Sequence, residues 1–354
     1  MVDARQPGPA ADAAAALTPE RIRSLCDRRF GVGGDGVIVA LPPQAEAEVR
    51  MRIFNADGSE PEMCGNGIRC LARFLADSDG DGPGRQWRVE TLAGLIVPQL
   101  RDDGTIRVDM GAPFLRSETV PTTLSCGEAG LPQGILNIDG EELSVAAVGM
   151  GNPHVVIPVA DLAAVELERL GPALEAHPAF PAKTNVHFVQ VLAPDHLVMR
   201  VWERGAGPTL ACGTGACATL VACHSLGLCA QQACVELPGG PLTIAWDGDP
   251  QHSVWMSGPA EAVFDGMVTP ELWGVPPQQL EPAADTQPSA EVSSQTVDCA
   301  TVCISGCVRP DACPSAAARA QALALLERSS LDELVTLASD SLEARTRARI
   351  ARGL

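Results

Sequence analysis

The chain contains no tyrosine, only 3% of its residues are aromatic, and its 25 Lys and Arg are far outnumbered by 44 Asp and Glu. The shortage of cations is informative: a net charge of −19 repels phosphates, which opposes non-specific binding to nucleic acid or to an anionic membrane surface. It leaves a small charged substrate open, because a local cationic pocket can sit within an acidic surface. No apolar run approaches membrane-spanning length. The start, MVDARQPGPA, lacks the basic and apolar segments of a secretory signal, and Asp3 and Asp12 argue against a transit peptide, so the cytoplasm is the expected location.

What the chain has in plenty is cysteine, 13 in 354 residues. In a reducing compartment such cysteines are catalytic, metal-bound or simply buried, rather than a disulfide framework. Two of them carry a repeat. EMCGNGIRC occupies residues 62–70 and LACGTGACA residues 210–218. MRIFN at 51–55 matches MRVWE at 199–203 with the same offset of 148 residues that separates Cys64 from Cys212. In both copies the last strand residue, Asn55 or Glu203, precedes the cysteine by nine. Strand, glycine-containing loop, Cys-Gly-x-Gly and helix thus recur in one register, which implies two similar half-structures facing each other.

The local pattern supplies the elements. Residues 18–29 predict a helix with Thr18 as N-cap and Pro19 in its first turn. Residues 30–43 predict a Gly-rich turn into a short strand, and 49–55 alternate like a half-buried strand. Ile68, Leu71, Ala72 and Leu75 have helical spacing. Residues 85–117 and 120–160 read as short strands broken by Gly, Pro and Asp, residues 160–176 as a helix, and 186–192 and 196–203 as strands. A second helix comes after CGTG. Near residue 275 the composition shifts to Pro, Ser, Gln and Ala, that of a linker or disordered segment.

A cysteine at a helix start lies in the positive field of unpaired backbone N–H groups, which lowers a thiol pKa from about 8.5. The glycines are expected to allow positive φ angles and close approach of a ligand. The N–H groups can bind a carboxylate. Two such turns facing across a cleft would grip one carboxylate and place a thiol on each face of the neighbouring carbon. That suits racemisation or epimerisation, in which one thiolate removes the α-proton and the opposite thiol returns one. The N–H groups hold the charge that develops on the carboxylate. No PLP is required. Taken alone, a cysteine before a glycine turn is more often packing; the duplicated context is what singles out Cys64 and Cys212. Cys70, Cys217, Cys223, Cys229 and Cys234 read as packing residues. A disulfide between Cys64 and Cys212 would be an oxidised resting state.

As a set, FNADGSEPEMCGNGIRC, GNPH, TNVHFVQV and VWERGAGPTLACGTGACA resemble the diaminopimelate epimerase family over roughly residues 18–274. The resemblance implies an α/β (α+β) fold of two pseudo-symmetric domains, each a barrel-like, mostly antiparallel sheet around a central helix, with the active site in the cleft between them. It implies PLP-independent interconversion of LL- and meso-diaminopimelate on the route to lysine and peptidoglycan, with no cofactor and no catalytic metal, in a homodimer. By motif, Cys64 and Cys212 correspond to the two acid/base thiols. Gly65, Asn66, Gly213 and Thr214 correspond to the backbone clamp on the reacting carboxylate. Asn55, Asn152, Asn185, Glu203 and Arg204 correspond to polar contacts with the ammonium groups and the distal carboxylate. A substrate with two amines and two carboxylates independently calls for a carboxylate such as Glu203 and a cation such as Arg204. His154 of GNPH reads equally well as a structural histidine.

On this basis residues 1–114 with 262–274 form one half, 115–261 the other, 275–298 a linker and 299–354 a helical extension. Two departures stand out. Family members begin with a strand bearing a Gly-Asn-Asp-Phe motif, whereas this chain opens just downstream of that motif's place, so Met1 is expected to be an internal start. Some members have Gln where Gly36 stands. Cys299, Cys303, Cys307 and Cys313 in the extension do not match the usual paired zinc spacing, and free thiols or a small interaction module fit them better than a metal. The alternatives in function are another two-base racemase of the same fold, such as a proline racemase, and a non-catalytic diaminopimelate-binding protein.

Overall fold

The structure, a computed structural model, describes residues 1–268 and Leu272. The expected linker at 275–298 and the extension at 299–354 with its four cysteines lie outside the described residues.

A first sheet is built from β1 (Val2–Asp3), β2 (Gly36–Leu41), β3 (Val49–Asn55), β4 (Val89–Thr91) and β5 (Gly94–Ile96), in that spatial order. Helices α1 (Pro9–Ala15) and α2 (Pro19–Cys26) connect β1 to β2, and α3 (Gly65–Asp79) connects β3 to β4. The second sheet comprises β6 (Gln99–Leu100), β7 (Ile106–Asp109), β8 (Gln133–Ile138), β9 (Glu141–Gly149), β10 (Pro153–Pro158), β11 (Asn185–Ala193), β12 (His196–Glu203), β13 (Gly207–Thr209), β14 (Gln232–Leu237), β15 (Gly240–Ala245) and β16 (Trp255–Gly258). Its order is β6-β7-β16-β15-β14-β12-β11-β10-β9-β8, with β13 beside β12. Helix α4 (Leu167–Glu175) lies between β10 and β11 in sequence, and α5 (Gly213–Ser225) between β13 and β14.

The repeat seen in the sequence extends to the topology. β1 runs parallel to β2, β2 antiparallel to β3, then α3 leads to β4 parallel to β3 and β5 antiparallel to β4. In the second copy β10 is parallel to β11, β11 antiparallel to β12, then α5 leads to β14 parallel to β12 and β15 antiparallel to β14. The α+β class is as expected, and parallel pairs recur at matching places in both copies.

Each helix forms for a legible reason. The Thr18 hydroxyl accepts from the Arg21 N–H at the start of α2. α3 buries Ile68, Leu71, Ala72 and Leu75, the stripe expected from their spacing. α5 is apolar all round and buried without a break from Gly215 to Cys223, so it requires cover on every side. It receives it from β9, β10, β11, β14, β15 and β16.

Three expectations need correction. α1 has no counterpart in the sequence reading, although Pro9 at its first turn and the alanines behind it were the signal. The helix expected over 160–176 is confined to Leu167–Glu175. Asp161 accepts from the Ala163 N–H and Gln190 from the Leu162 N–H, and both bonds hold the preceding residues in a turn. Cys70, expected to be a packing residue, is exposed, because it falls outside the buried stripe of α3.

Candidate active site

Cys64 and Cys212 stand at the N-caps of α3 and α5 with nearly the same backbone, φ −141° and ψ 119° against φ −141° and ψ 102°. Both thiols are free. The first-turn N–H groups of each helix have no partner within the helix and face outward with the positive end of its dipole.

The glycines do something other than expected. None of Gly65, Gly67, Gly213 and Gly215 has a positive φ, because each lies in the first turn of an α-helix, where φ is negative. Their smallness serves packing. A Cβ on Gly67 would stand 2.5 Å from Ile53 Cδ1, and one on Gly215 would stand 2.4 Å from His187 Cε1. The second glycine of each motif thus presses a helix start onto its sheet. The first glycines meet a common neighbour: Gly65 and Gly213 both face Met256, with Cβ positions 2.9 Å from its Cε and 3.1 Å from its Sδ respectively. Asn66 Oδ1 lies 3.9 Å from the Cβ position of Gly213. The two cysteine-capped turns are therefore adjacent, sharing the thioether of Met256.

Their thiols are in different settings. Cys64 is half-buried, and its Sγ accepts from the Gly67 N–H at 3.4 Å. Cys212 is buried, with Sγ 3.7 Å from Thr214 Oγ1. Burial first, and then the negative charge of Glu203, push the Cys212 thiol up to about 12. Glu203 is fixed by the Thr209 hydroxyl, which donates to its Oε1 at 2.5 Å.

A second set of expected residues forms a network beside Cys212. Asn152 Oδ1 bonds His154 Nε2 at 2.7 Å, and His154 Nδ1 bonds His187 Nε2 at 2.8 Å. Both imidazoles are completely buried; desolvation holds His154 well below the usual range and His187 down to about 3, so both are neutral. Asn185, almost fully buried, donates from Nδ2 to the Pro153 carbonyl at 2.9 Å and accepts at Oδ1 from the Arg204 N–H at 3.0 Å. The Arg204 guanidinium donates to the Ala182 carbonyl at 3.1 Å. Asn55 stands apart: it is exposed, and its Nδ2 donates to Ser59 Oγ in its own loop at 2.9 Å. Three neighbours of the site escaped the sequence reading. His187 and Arg69 lie inside quoted motifs, TNVHFVQV and GNGIRC, but carried no separate signal. Met256 carried none.

Among solved structures, a phenazine biosynthesis protein of the PhzF family from Bacillus anthracis superposes with a TM-score of 0.50 at 17% identity, over 70% of this chain and 87% of that one. At that identity the likeness speaks for the fold alone. Fold and site define an α+β protein of the epimerase class, built on a duplicated unit with a thiol at each of two adjacent helix starts. The sequence model of diaminopimelate epimerase matches residues 9–115 and 146–263. A diaminopimelate epimerase of Prochlorococcus marinus (strain MIT 9313) is 60% identical over 254 residues, 72% of this chain and 84% of that protein. One of Acaryochloris marina (strain MBIC 11017) is 55% identical over 253 residues, 71% of this chain and 89% of that protein. The chain belongs to the diaminopimelate epimerase family.

Proposed function

We propose that the protein interconverts LL- and meso-diaminopimelate, a step toward lysine and peptidoglycan precursors, by two-thiol acid/base catalysis without PLP. The observation that carries this reading is the adjacency of two cysteine-capped helix starts around Met256. A carboxylate bound by the first-turn N–H groups of Gly65, Asn66, Gly213 and Thr214 puts its α-carbon between the thiols. Cys212, buried beside Glu203, holds its proton. With Cys212 as donor, Cys64 takes the α-proton, and the two thiols exchange roles in the reverse direction. The charge that appears on the substrate carboxylate is met by donors already in place, and their preorganisation supplies most of the rate.

Glu203 and Arg204, with Asn55, Asn152 and Asn185, are the polar contacts to the ammonium groups and the distal carboxylate. Asn185 also fixes the Arg204 backbone. The catalytic unit is read as two halves, residues 1–114 with 262–274 and residues 115–261, acting in a cytoplasmic homodimer; the family resemblance supports these assignments.

The test is product formation by the purified, reduced full-length chain. LL-diaminopimelate should approach equilibrium with the meso form without added PLP, while L-proline is left unchanged. Racemisation of proline, or binding of diaminopimelate without conversion, would favour one of the two alternatives instead.

A further inference from the structure

Arg69, one turn into α3, is a buried cation without a buried anion. The residue is only 7% exposed, and among the described residues no carboxylate pairs with it. Its guanidinium is held by neutral groups. Nη2 donates to Asn66 Oδ1 at 3.0 Å, Nη1 to the Gly65 carbonyl at 3.2 Å and to Met256 Sδ at 3.6 Å, and Nε to the Pro259 carbonyl at 3.4 Å. A Cβ at Gly258 would stand 2.5 Å from Leu242 Cδ2 and 3.3 Å from Nε, so glycine there leaves room for both side chains. A guanidinium keeps its proton under all working conditions, and burying it unpaired is costly. Burial opposes its charge, and the ionisable groups within electrostatic reach are thiols, Cys70, Cys64 and Cys217. Cys212 acts on Cys217, and Glu203 on Cys212. The residues packed on it from β16 and the segment after it, Met256, Gly258 and Pro259, carry no charge.

We propose that Arg69 is a positioning residue for the reacting centre, locking Asn66 and supplying the fixed positive charge that the Cys64 thiolate and the bound carboxylate require. Because Asn66 Oδ1 is taken by the guanidinium, the amide presents its N–H2 group to the ligand as a donor. Arg69 stands where the two cysteine turns meet, since it also touches Met256, the residue on which Gly65 and Gly213 converge. The anion missing from its surroundings arrives with the chemistry, as thiolate and as substrate.

This inference rests on Cys64 acting as a base, and its deciding readout needs no substrate. Cys64 is alkylated with iodoacetamide across a pH series in the free full-length enzyme, and the modified site is identified by peptide mass spectrometry. In Arg69→Gln the pH midpoint of Cys64 alkylation should rise relative to the unaltered chain, while Arg69→Lys leaves it in place. KM should rise about tenfold in both, since lysine keeps the charge but lacks the fork that holds Asn66. Arg69→Met, which preserves the packing on Met256 and Gly258, carries the same charge test should the glutamine variant fail to fold. A folded neutral variant with an unchanged midpoint would overturn the proposal and leave Arg69 a structural tie between α3 and β16. Because the thiol readout is made without substrate, it stands even if diaminopimelate is the wrong substrate.

Discussion

His154 Nδ1 and His187 Nε2 meet at 2.8 Å in the interior, and that bond fixes how Asn152 presents its amide. Asn152 Oδ1 can only accept, so His154 Nε2 carries a proton and His154 Nδ1 a lone pair. His187 must then donate from Nε2. Its Nδ1 is left as a buried acceptor without a partner among the described groups. The chain of bonds turns the Asn152 N–H2 group away from His154.

The relay can be broken at its far end. In His187→Leu nothing donates to His154 Nδ1, the tautomer is no longer fixed, and Asn152 is released. KM for diaminopimelate should rise about five- to tenfold, the loss of one net hydrogen bond of about 1 kcal/mol, with kcat nearly unchanged. His187→Gln, whose amide N–H2 reaches the same place, should retain most of the affinity. Equal impairment in both variants would show that the imidazole serves only to fill space. Steady-state kinetics of the three proteins decides.

The second glycine of the repeat should be the less tolerant of substitution. In Gly215→Ala the new methyl meets His187 Cε1, and that ring is tied to His154 and cannot yield. We expect a loss of about 1–3 kcal/mol in urea unfolding. Gly213→Ala meets the flexible thioether of Met256 and should cost less. Combining Gly215→Ala with His187→Ala should recover part of the loss, and strict additivity of the two would argue against the collision.

Each thiol should be indispensable to the reaction and dispensable to the fold. Cys64→Ser and Cys212→Ser replace an acid/base group by a hydroxyl of far higher pKa, and should each lower kcat by about 10²-fold or more. The unfolding midpoint should change little, since serine matches the thiol in shape. A single variant that retains most of its activity would show that one thiol suffices.

Buried thiols make the protein sensitive to alkali. Burial pushes Cys223 up to about 12 and Cys229 up to about 11, as it does Cys212. A thiol whose folded pKa is raised is protonated in the native state where the unfolded chain has already lost its proton. Its stabilising effect is therefore complete below about pH 8.5–9 and is lost as pH rises toward 11–12, at about 1.4 kcal/mol per pH unit for each thiol. Chemical denaturation between pH 8 and 11 should show this steepening decline. Cys223→Ala should shallow the slope by one proton's worth, and an unchanged slope would place the alkaline sensitivity elsewhere.

Much of the site was legible because its repeat is a matter of sequence offset. Cys64 and Cys212 could be found without any structure, and with them the strands that end at Asn55 and Glu203. Helices were legible where one stripe dominated, as in α3, and where a side chain capped the start, as Thr18 does. What could not be read depended on long-range contact. Met256 links the two turns from a strand near the end of the fold, and no local pattern marks it. His187 sits at an inward strand position that any apolar residue could fill. The role of the glycines was misread for the same reason: positive φ is a local property, whereas the collision of Gly215 with His187 exists only once β11 and α5 are packed. α4 was overextended because its first half is apolar enough for a helix, while the bond from Leu162 to Gln190, 28 residues on, holds it in a turn.

Action of two thiols on opposite faces of one carbon is tested most directly by incubating the reduced protein with LL-diaminopimelate in D2O and tracking deuterium at the α-carbon together with the appearance of the meso form. A two-thiol site predicts that newly formed meso product carries solvent deuterium from its first turnover, because the proton it receives comes from a second thiol in exchange with solvent. Meso product that retains the original proton would mean that a single group removes and returns it, and would contradict the two-thiol site.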